Sequence, residues 1–404
     1  MPFEWFVALR FLREGRLQTL LIFVGVGVGV AVMVFLTALI DGLQASLVKN
    51  TLTTQAHVVI RPPEEEARVL APAGSALAAR VEKRNQRDRT LDQWPLALAA
   101  AAQVPGVEAA AVTVAGSGFA TRGNASRAVA LRGVDPDSYT RVIAIGDRMQ
   151  SGRFRVLGDE AVVGTELAQD LGIRVGDKIR LGTGDGRTDA FVVAGVFDLG
   201  NKDVNQRWVF VSIRAAQTLL EIGRDVSTIE LRVAEPFQAE LIAREVGART
   251  GLVSESWMTL NRQLLVALSS QSSSSYMIQF FVVLAVALGI ASVLAVSVVH
   301  KSREIGILRA TGTSTRSIMG IFLVQGGIVG VVGAVSGCLL GTALALFFAG
   351  LATSPDGSPT FPVRLDAALM LTASAIAVAV GLLSAVIPAR RAAQLDPATV
   401  IHGG

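Results

Sequence analysis

Four long runs without a charged residue constrain this chain more than any other feature of its sequence. They cover residues 19–40, 276–299, 317–355 and 367–387 of 404. A helix that crosses a bilayer needs about 20 mostly apolar residues, and each run supplies them. Only 17% of the residues are charged, against about a quarter in soluble domains. The runs predict a multi-pass membrane protein and exclude a soluble globule, a disordered chain and a disulfide scaffold, since Cys338 is the only cysteine.

Basic residues decide whether the third run is one helix or a tight hairpin of two. They gather in three short segments: Arg10, Arg13 and Arg16; Lys301, Arg303, Arg309 and Arg316; and Arg390 and Arg391. Lys and Arg accumulate in short cytoplasmic segments of membrane proteins. All three groups lie on the same side only if the third run is a single helix. We therefore predict four spans with both termini in the cytoplasm.

The predicted fold class is an α-helical membrane protein with four transmembrane helices plus a large α+β periplasmic domain. The segments are an amphipathic helix (1–17), the first span (18–41), the periplasmic domain (42–275), the second span (276–299), a cytoplasmic loop (300–317), the third span (318–352), a short periplasmic loop (353–366), the fourth span (367–388) and a cytoplasmic tail (389–404). In the amphipathic helix, one face carries the apolar residues Trp5, Ala8, Leu9 and Leu12. Such a helix is expected to lie in the membrane interface.

The periplasmic domain shows two strand–helix–strand patterns. They predict a β-α-β subdomain (42–136 and 226–268) interrupted by a small β-rich subdomain (137–225) with glycine-bearing turns. The stretch 62–89, acidic and then basic, is expected to be mobile. The serine-rich stretch 269–275 is expected to be a hinge into the second span.

Residues for catalysis or metal binding are missing from the sequence. The three histidines are far apart, and there is no H-E-x-x-H, Cys/His cluster or G-x-S-x-G motif. The glycine-rich stretch 182–187 lacks the Gly-Lys-Ser/Thr ending of a phosphate-binding loop and predicts a hairpin turn. The spans carry no buried Asp, Glu, Lys or Arg that could couple transport to an ion. We expect no catalytic residue, no metal site and no ATP hydrolysis in this chain, so that any transport energy comes from elsewhere.

Small residues recur four apart in the spans, which lets helix backbones approach closely. The predicted packing glycines are Gly25, Gly29, Gly326, Gly330, Gly333 and Gly337, with Gly341 continuing the last series. They fit packing within one chain, and they also fit a seam with a second copy or a paralogue.

The loop between the second and third spans predicts a short helix that ends at Gly312. Ile305, Ile307 and Leu308 give it an apolar side, and Glu304 and Arg309 a charged one. Thr313 or Ser314 is expected to cap the third span. A solvated basic turn that only sets the topology remains the alternative.

Several segments together resemble one family. Residues 301–341 (KSREIGILRATG…) and 387–401 (IPARRAAQLDPATVI) are similar to the loop, third helix and tail of MacB/FtsX-type ABC transporter permeases. The stretch 162–181 (VVGTELAQDLGIRVGDKIRL) resembles the outer domain of the family. Residues 8–44 and 256–268 resemble the lipoprotein-releasing (Lol) permease branch.

The resemblance implies an inner-membrane permease that pairs with a second permease copy or paralogue and binds an ABC ATPase dimer, which holds ATP and Mg. A periplasmic chaperone or adaptor is a further expected partner, and nucleic acid is not. The segment between spans two and three would be the coupling helix. The residues carried over for coupling are Arg303, Glu304, Ile305, Gly306, Leu308 and Arg309.

In this family hydrolysis moves the outer domains, a mechanism called mechanotransmission. The expected function is extraction of lipoproteins or lipid-like cargo from the outer leaflet. The alternatives are the permease of a tripartite efflux or secretion system and an FtsX-like signal transducer. Cargo entering between the first two spans would touch Val32, Phe35, Leu36, Ile40, Phe280, Phe281 and Leu284. Ordinary lipid contact explains the same residues equally well.

Overall fold

The computed structural model describes residues 3–63, 90–351, 363 and 365–395. The chain divides into a membrane unit (Met1–Leu47 and Val266–Gly404) and a periplasmic unit (Val48–Leu265). Residues 64–89, most of the predicted loop 353–366 and the tail beyond 395 lie outside the described residues.

In chain order the described residues form thirteen α-helices: α1 (Phe3–Glu14), α2 (Arg16–Thr54), α3 (Trp94–Ala102), α4 (Pro136–Val142), α5 (Thr165–Leu171), α6 (Lys202–Arg207), α7 (Ile213–Leu220), α8 (Ala239–Thr250), α9 (Trp257–Leu260), α10 (Arg262–His300), α11 (Ser302–Ala310), α12 (Thr315–Leu351) and α13 (Ala367–Ala393). The ten strands are β1 (Val58–Arg61), β2 (Val107–Arg122), β3 (Ala125–Val134), β4 (Met149–Gly152), β5 (Glu160–Gly164), β6 (Lys178–Gly182), β7 (Thr188–Phe197), β8 (Trp208–Ser212), β9 (Thr228–Val233) and β10 (Val253–Ser256).

Four helices, α2, α10, α12 and α13, are long and apolar enough to cross a membrane. As far as the structure describes it, to Leu351, the third uncharged run is one continuous helix, as the basic residues predict. The helices α2 and α10 have 39 residues each, so each is about 58 Å long, well beyond the hydrocarbon core of about 30 Å. The fold class predicted from sequence is confirmed.

One local expectation about the second span is wrong. The serine-rich stretch 269–275 is not a hinge but a regular part of α10. The hydroxyls of Ser272, Ser273 and Ser274 each donate to the carbonyl four residues earlier at 3.0 Å, which satisfies these polar groups inside the helix. The helix α13 continues through Pro388 to Ala393, beyond the predicted end of the fourth span. A proline removes one helical hydrogen bond, and membrane helices tolerate this.

The periplasmic unit is built on one ten-stranded sheet in the order β10-β1-β9-β2-β3-β8-β5-β7-β4, with β6 pairing to β2 and β7. Apolar residues of the strands, many of them valine or isoleucine, face a core that extends from β1 to β7. The predicted insertion 137–225 does interrupt the chain, but its strands join the same sheet through the parallel pair β3–β8 and through β6 on β2. It also contains α4 to α7, so it is not purely β-rich.

A buried ion pair lies within this sheet. Arg132 of β3 forms a salt bridge with Glu230 of β9, and both side chains are largely buried. The guanidinium also stacks over the Trp208 ring, 4.2 Å from its centroid. The two charges compensate each other away from water, so each depends on its partner.

Candidate functional site

The helix α11, between the second and third spans, is the predicted coupling helix. Ile305 of α11 is 1% exposed and packs in a cluster with α1, the ends of α10 and α13, and the start of α12. Gly306 is also buried, and Leu308 is half-buried against the same cluster. The helix is thus seated in the cytoplasmic end of the membrane unit rather than standing free in solvent.

Polar contacts hold the C-terminal end of α11. Arg309 donates to the carbonyl of Ala393 at 3.1 Å and to that of Leu395, at the end of α13. Gly312 then adopts φ +95°, which glycine tolerates. The Ser314 hydroxyl accepts from the backbone N–H of Ser317 at 3.2 Å and caps α12, so Ser314 is the capping residue.

A chain of charges ties α11 to α1. Lys301 forms salt bridges with Glu14 of α1 and with Glu304 of α11, and Arg10 pairs with Glu14 at 3.0 Å. The hydrogen bonds from Lys301 and then from Arg10 lower the pKa of Glu14, and those to Glu14 and Glu304 raise the pKa of Lys301. Glu14 and Lys301 therefore both stay charged near neutral pH.

The outward face of α11 differs from the sequence expectation. Arg303, Glu304 and Ile307 are exposed, and 51% of Ile307 is accessible. Ile305 is therefore not free to contact another protein, and Leu308 is only half-available. The sequence of this nine-residue helix does not predict which of its apolar side chains, at 305, 307 and 308, is buried, because that depends on contacts with the neighbouring helices.

The amphipathic helix α1 buries one face within the membrane unit. Its buried residues are Val7, Ala8, Phe11 and Leu12. The first three belong to the cluster that contains Ile305, and Leu12 belongs to a second cluster formed by the spans, whereas Trp5 and Leu9 are exposed. The apolar face identified in the sequence is therefore divided: Ala8 and Leu12 are buried within the protein, whereas Trp5 and Leu9 stay exposed, and their position in the membrane interface stays a prediction. Apolar residues surround most of this helix, so spacing alone does not select one face.

The glycines of α12 divide between two neighbours. A Cβ at Gly326 or Gly330 would lie 2.3 Å from a carbonyl oxygen or 2.8 Å from a Cα of α13. Gly333, Gly337 and Gly341 meet α2 at similarly short distances, and Gly29 of α2 lies against Val286 of α10. A Cβ at Gly25, in contrast, would meet nothing within 4 Å. All of these glycines except Gly25 lie where helices of this chain touch.

The seven residues predicted to touch cargo do not converge on one cavity. Phe35 packs edge-on against Phe348 of α12, and Val32, Leu36 and Ile40 are half-buried. Phe280 and Phe281 contact each other and are 62% and 59% exposed, and Leu284 is exposed. None of the seven lines either of the two apolar cavities between α2 and α10.

Polar contacts between α2 and α10 were missed by the sequence reasoning. Gln18 donates to the carbonyl of Val293 at 3.0 Å. Gln279 donates to Thr37 at 2.9 Å, and Gln44 donates to Ser272 at 2.8 Å. These bonds connect the first and second spans at three levels. Gln279 lies inside an uncharged run, and Gln18 and Gln44 lie close to the two ends of another, so amide side chains in and beside these runs are the signal that would have found the contacts.

Family comparisons agree with this architecture. Residues 19–249, more than half of the chain, match the MacB-like periplasmic core domain, and residues 276–397 match the FtsX-like permease C-terminal domain. The chain is an ABC transporter permease of the MacB/FtsX family. The permease is a multi-pass protein of the bacterial inner membrane with its large domain in the periplasm, as the sequence predicted.

This permease is similar in sequence to several named transport proteins. It is 25% identical over 343 residues to the lipoprotein-releasing system transmembrane protein LolC of Neisseria meningitidis, covering 78% of this chain and 83% of the relative. The LolC of Xylella fastidiosa (strain Temecula1) is 22% identical over 99% of both chains. The macrolide export ATP-binding/permease protein MacB of Wolinella succinogenes is 24% identical over 66% of this chain and 39% of its own.

Proposed function

We propose that this permease extracts lipoproteins or lipid-like cargo from the outer leaflet of the inner membrane, driven by a separate ABC ATPase. Two relatives that cover most of this chain are named as lipoprotein-releasing proteins, which supports the cargo class. The sequence has no phosphate-binding loop, so ATP and Mg bind to the partner ATPase in this proposal.

The packing of α11 is the observation that supports a role for this helix in transmitting energy from the ATPase to the spans. Its outer face presents Arg303, Glu304 and Ile307 to a partner, while Ile305 and Arg309 fix it to the cytoplasmic ends of the spans. A force on the outer face therefore passes directly to α1, α10, α12 and α13. An apolar centre with a charged rim is also the pattern of a protein–protein contact.

In this proposal, movement of the spans is then passed to the periplasmic domain, which acts on cargo without a pore. The small residues between α12 and its neighbours α2 and α13 keep these three helices close together, so they move as a group. Lipid-exposed Phe280 and Phe281 offer an apolar surface for acyl chains. A second permease copy or paralogue and a periplasmic chaperone or adaptor complete the assembly.

The test is ATP-dependent release of an acylated lipoprotein from proteoliposomes that contain this permease, its permease partner and the ATPase. We expect release with ATP and none when the ATPase is omitted or when Ile307→Asp is introduced on the outer face of α11. Thr311→Asp, at the exposed end of the same helix, is the matched control. Absence of ATP-dependent release in the complete system would contradict the proposal.

Macrolide export is the second candidate, because MacB proteins are also among the relatives and the MacB-like domain covers the outer region. The phenotype of a strain that lacks the permease distinguishes lipoprotein extraction from macrolide export. Lipoproteins retained in the inner membrane with unchanged macrolide resistance favour extraction. Loss of resistance with normal lipoprotein sorting favours efflux. A cell-wall defect with both processes intact would favour an FtsX-like transducer.

A further inference from the structure

Lys301 occupies the single position between α10 and α11. Its backbone N–H donates to the carbonyl of Ser297, in the last turn of α10, at 2.9 Å. Its carbonyl accepts from the backbone N–H of Ile305, in α11, also at 2.9 Å. The Lys301 backbone therefore takes part in the hydrogen-bond ladders of both helices. A rotation of α11 against α10 turns this residue and moves its side chain.

The side chain of Lys301 contacts α1 as well as α11. Its ammonium group forms a salt bridge with Glu14 and lies 5.5 Å from the centroid of the Phe11 ring, and both of these residues belong to α1. The same ammonium pairs with Glu304 of α11 at 2.8 Å. An ammonium group has three N–H donors, so it can bind one acceptor on each helix at the same time. The Lys301 side chain is only 18% exposed, so these contacts largely enclose it.

The helix α1 continues almost directly into the first span. Only Gly15 separates the last residue of α1, Glu14, from the beginning of α2. The Thr19 hydroxyl donates to the carbonyl of Leu12 at 2.8 Å and so connects the two helices across this bend. Because Lys301 binds the last residue of α1, a displacement of Lys301 acts at the bend and on the cytoplasmic end of α2.

A cavity of about 310 Å³ lies beside the bend, so protein atoms do not fill the space there and the bend has room to move. Glu14 and Lys301 both line it, and their salt bridge is a contact across its edge. His300 also lines the cavity but forms no salt bridge with any residue that the structure describes. Gln18 donates to the carbonyl of Val293, about two turns before Lys301, and therefore follows α10 rather than α11.

We infer that Lys301 is a positioning residue that transmits movement of α11 to the first span through Glu14 and α1. This inference rests on the proposed coupling role of α11. Phe11 and Ile305 belong to one apolar cluster, which keeps α1 and α11 adjacent. Apolar contacts are not directional, however, whereas the ion pair joins two particular atoms and fixes one helix against the other. Exposed ion pairs add little to folding stability, so loss of this one should affect transmission and leave the fold intact.

The test is the number of lipoprotein molecules released per ATP hydrolysed, in proteoliposomes that contain the permease, its permease partner and the ATPase. Glu14→Gln and Lys301→Met should each lower this ratio about fivefold or more, the lower end of the usual coupling between two sites. ATPase binding and the melting temperature should stay as in the wild type. Lys301→Arg keeps the charge and should keep the ratio. Glu4→Gln, the same substitution at the other carboxylate of α1, is the matched control.

A wild-type ratio in Glu14→Gln would overturn the inference, because apolar packing alone would then transmit the movement. An equal loss in Glu4→Gln would overturn it too, since the effect would come from any change of charge on α1. A melting temperature that falls together with the ratio in Glu14→Gln would assign the ion pair to folding and would also contradict the positioning role.

A second measurement needs no cargo. Spin labels on Arg13→Cys of α1 and Thr311→Cys at the end of α11, in a Cys338→Ser background, report the distance between the two helices in the complex with the ATPase. We expect the same distance with and without ATP when Glu14 is present, and an ATP-dependent change in Glu14→Gln. An ATP-dependent change with Glu14 present, or an unchanged distance in Glu14→Gln, would overturn the inference. If the distances behave as expected but no variant releases lipoprotein, the proposed cargo is wrong and the role of Lys301 stands.

Discussion

Variants of Ile305 and Ile307, two residues apart on α11, test two different properties of the permease: its folding stability and its contact with an ATPase. Ile305 is 1% exposed, and truncating such a side chain to alanine costs about 2–5 kcal/mol of folding stability. Ile307 keeps 51% of its surface accessible. Burying a whole isoleucine is worth about 1.5–3 kcal/mol, so the exposed half can contribute about 0.8–1.5 kcal/mol to an interface.

We therefore predict that Ile307→Ala weakens ATPase binding about 4- to 12-fold and leaves thermal unfolding of the permease unchanged. Ile305→Ala should lower the unfolding temperature clearly, and it should impair ATPase binding only to the extent that the fold is lost. Binding is measured with the purified ATPase by biolayer interferometry, and unfolding by scanning fluorimetry in the same detergent. Wild-type affinity in Ile307→Ala, together with weak binding by a normally stable Ile305→Ala, would refute the assignment of the inner and outer faces.

Three further predictions concern stability. Glu230→Ala should destabilise the periplasmic unit by about 3–5 kcal/mol, because it leaves the buried Arg132 charge unpaired. The double variant Arg132→Met/Glu230→Leu should recover most of this stability. Both free energies of unfolding are measured by denaturant titration. Burial lowers the pKa of His57, so the unfolded chain binds a proton more readily than the folded chain, and stability should fall as the pH drops below about 6.5. In melting experiments at several pH values, His57→Gln should lose less stability at low pH than the wild type. An identical pH profile for the two proteins would contradict a contribution of His57 to this pH dependence. Gly337→Ala places a Cβ 2.7 Å from a carbonyl oxygen of α2 and should lower the melting temperature, whereas Gly350→Ala, which has open space, should not; equal melting of both would contradict the close packing.

The spans and their orientation follow from the sequence because both depend on local composition. Uncharged runs define the helices, and the basic segments around Arg10, Lys301 and Arg390 fix the side. The same charges predict that the long third run is one helix. Gly312 and Ser314 mark the end of α11 and the start of α12 through backbone rules that act within a few residues.

Contacts between helices were predicted less well, because they depend on residues far apart in the chain. The inner faces of α1 and α11 are chosen by α12 and α13, so Val7 and Ile305 are buried while Leu9 and Ile307 are exposed. Gly25 has the spacing of a packing glycine but lines an open groove. The sheet likewise joins strands across the predicted insertion, since pairing is long-range.

The most direct test of the proposed function is single-cycle release of a radiolabelled triacylated lipoprotein from proteoliposomes, measured with and without ATP. We predict release that requires both ATP and the ATPase, and that Ile307→Asp reduces it to the ATP-free level while the exposed control Thr311→Asp supports wild-type release. Equal release with and without ATP, or wild-type release by Ile307→Asp, would contradict extraction driven through α11.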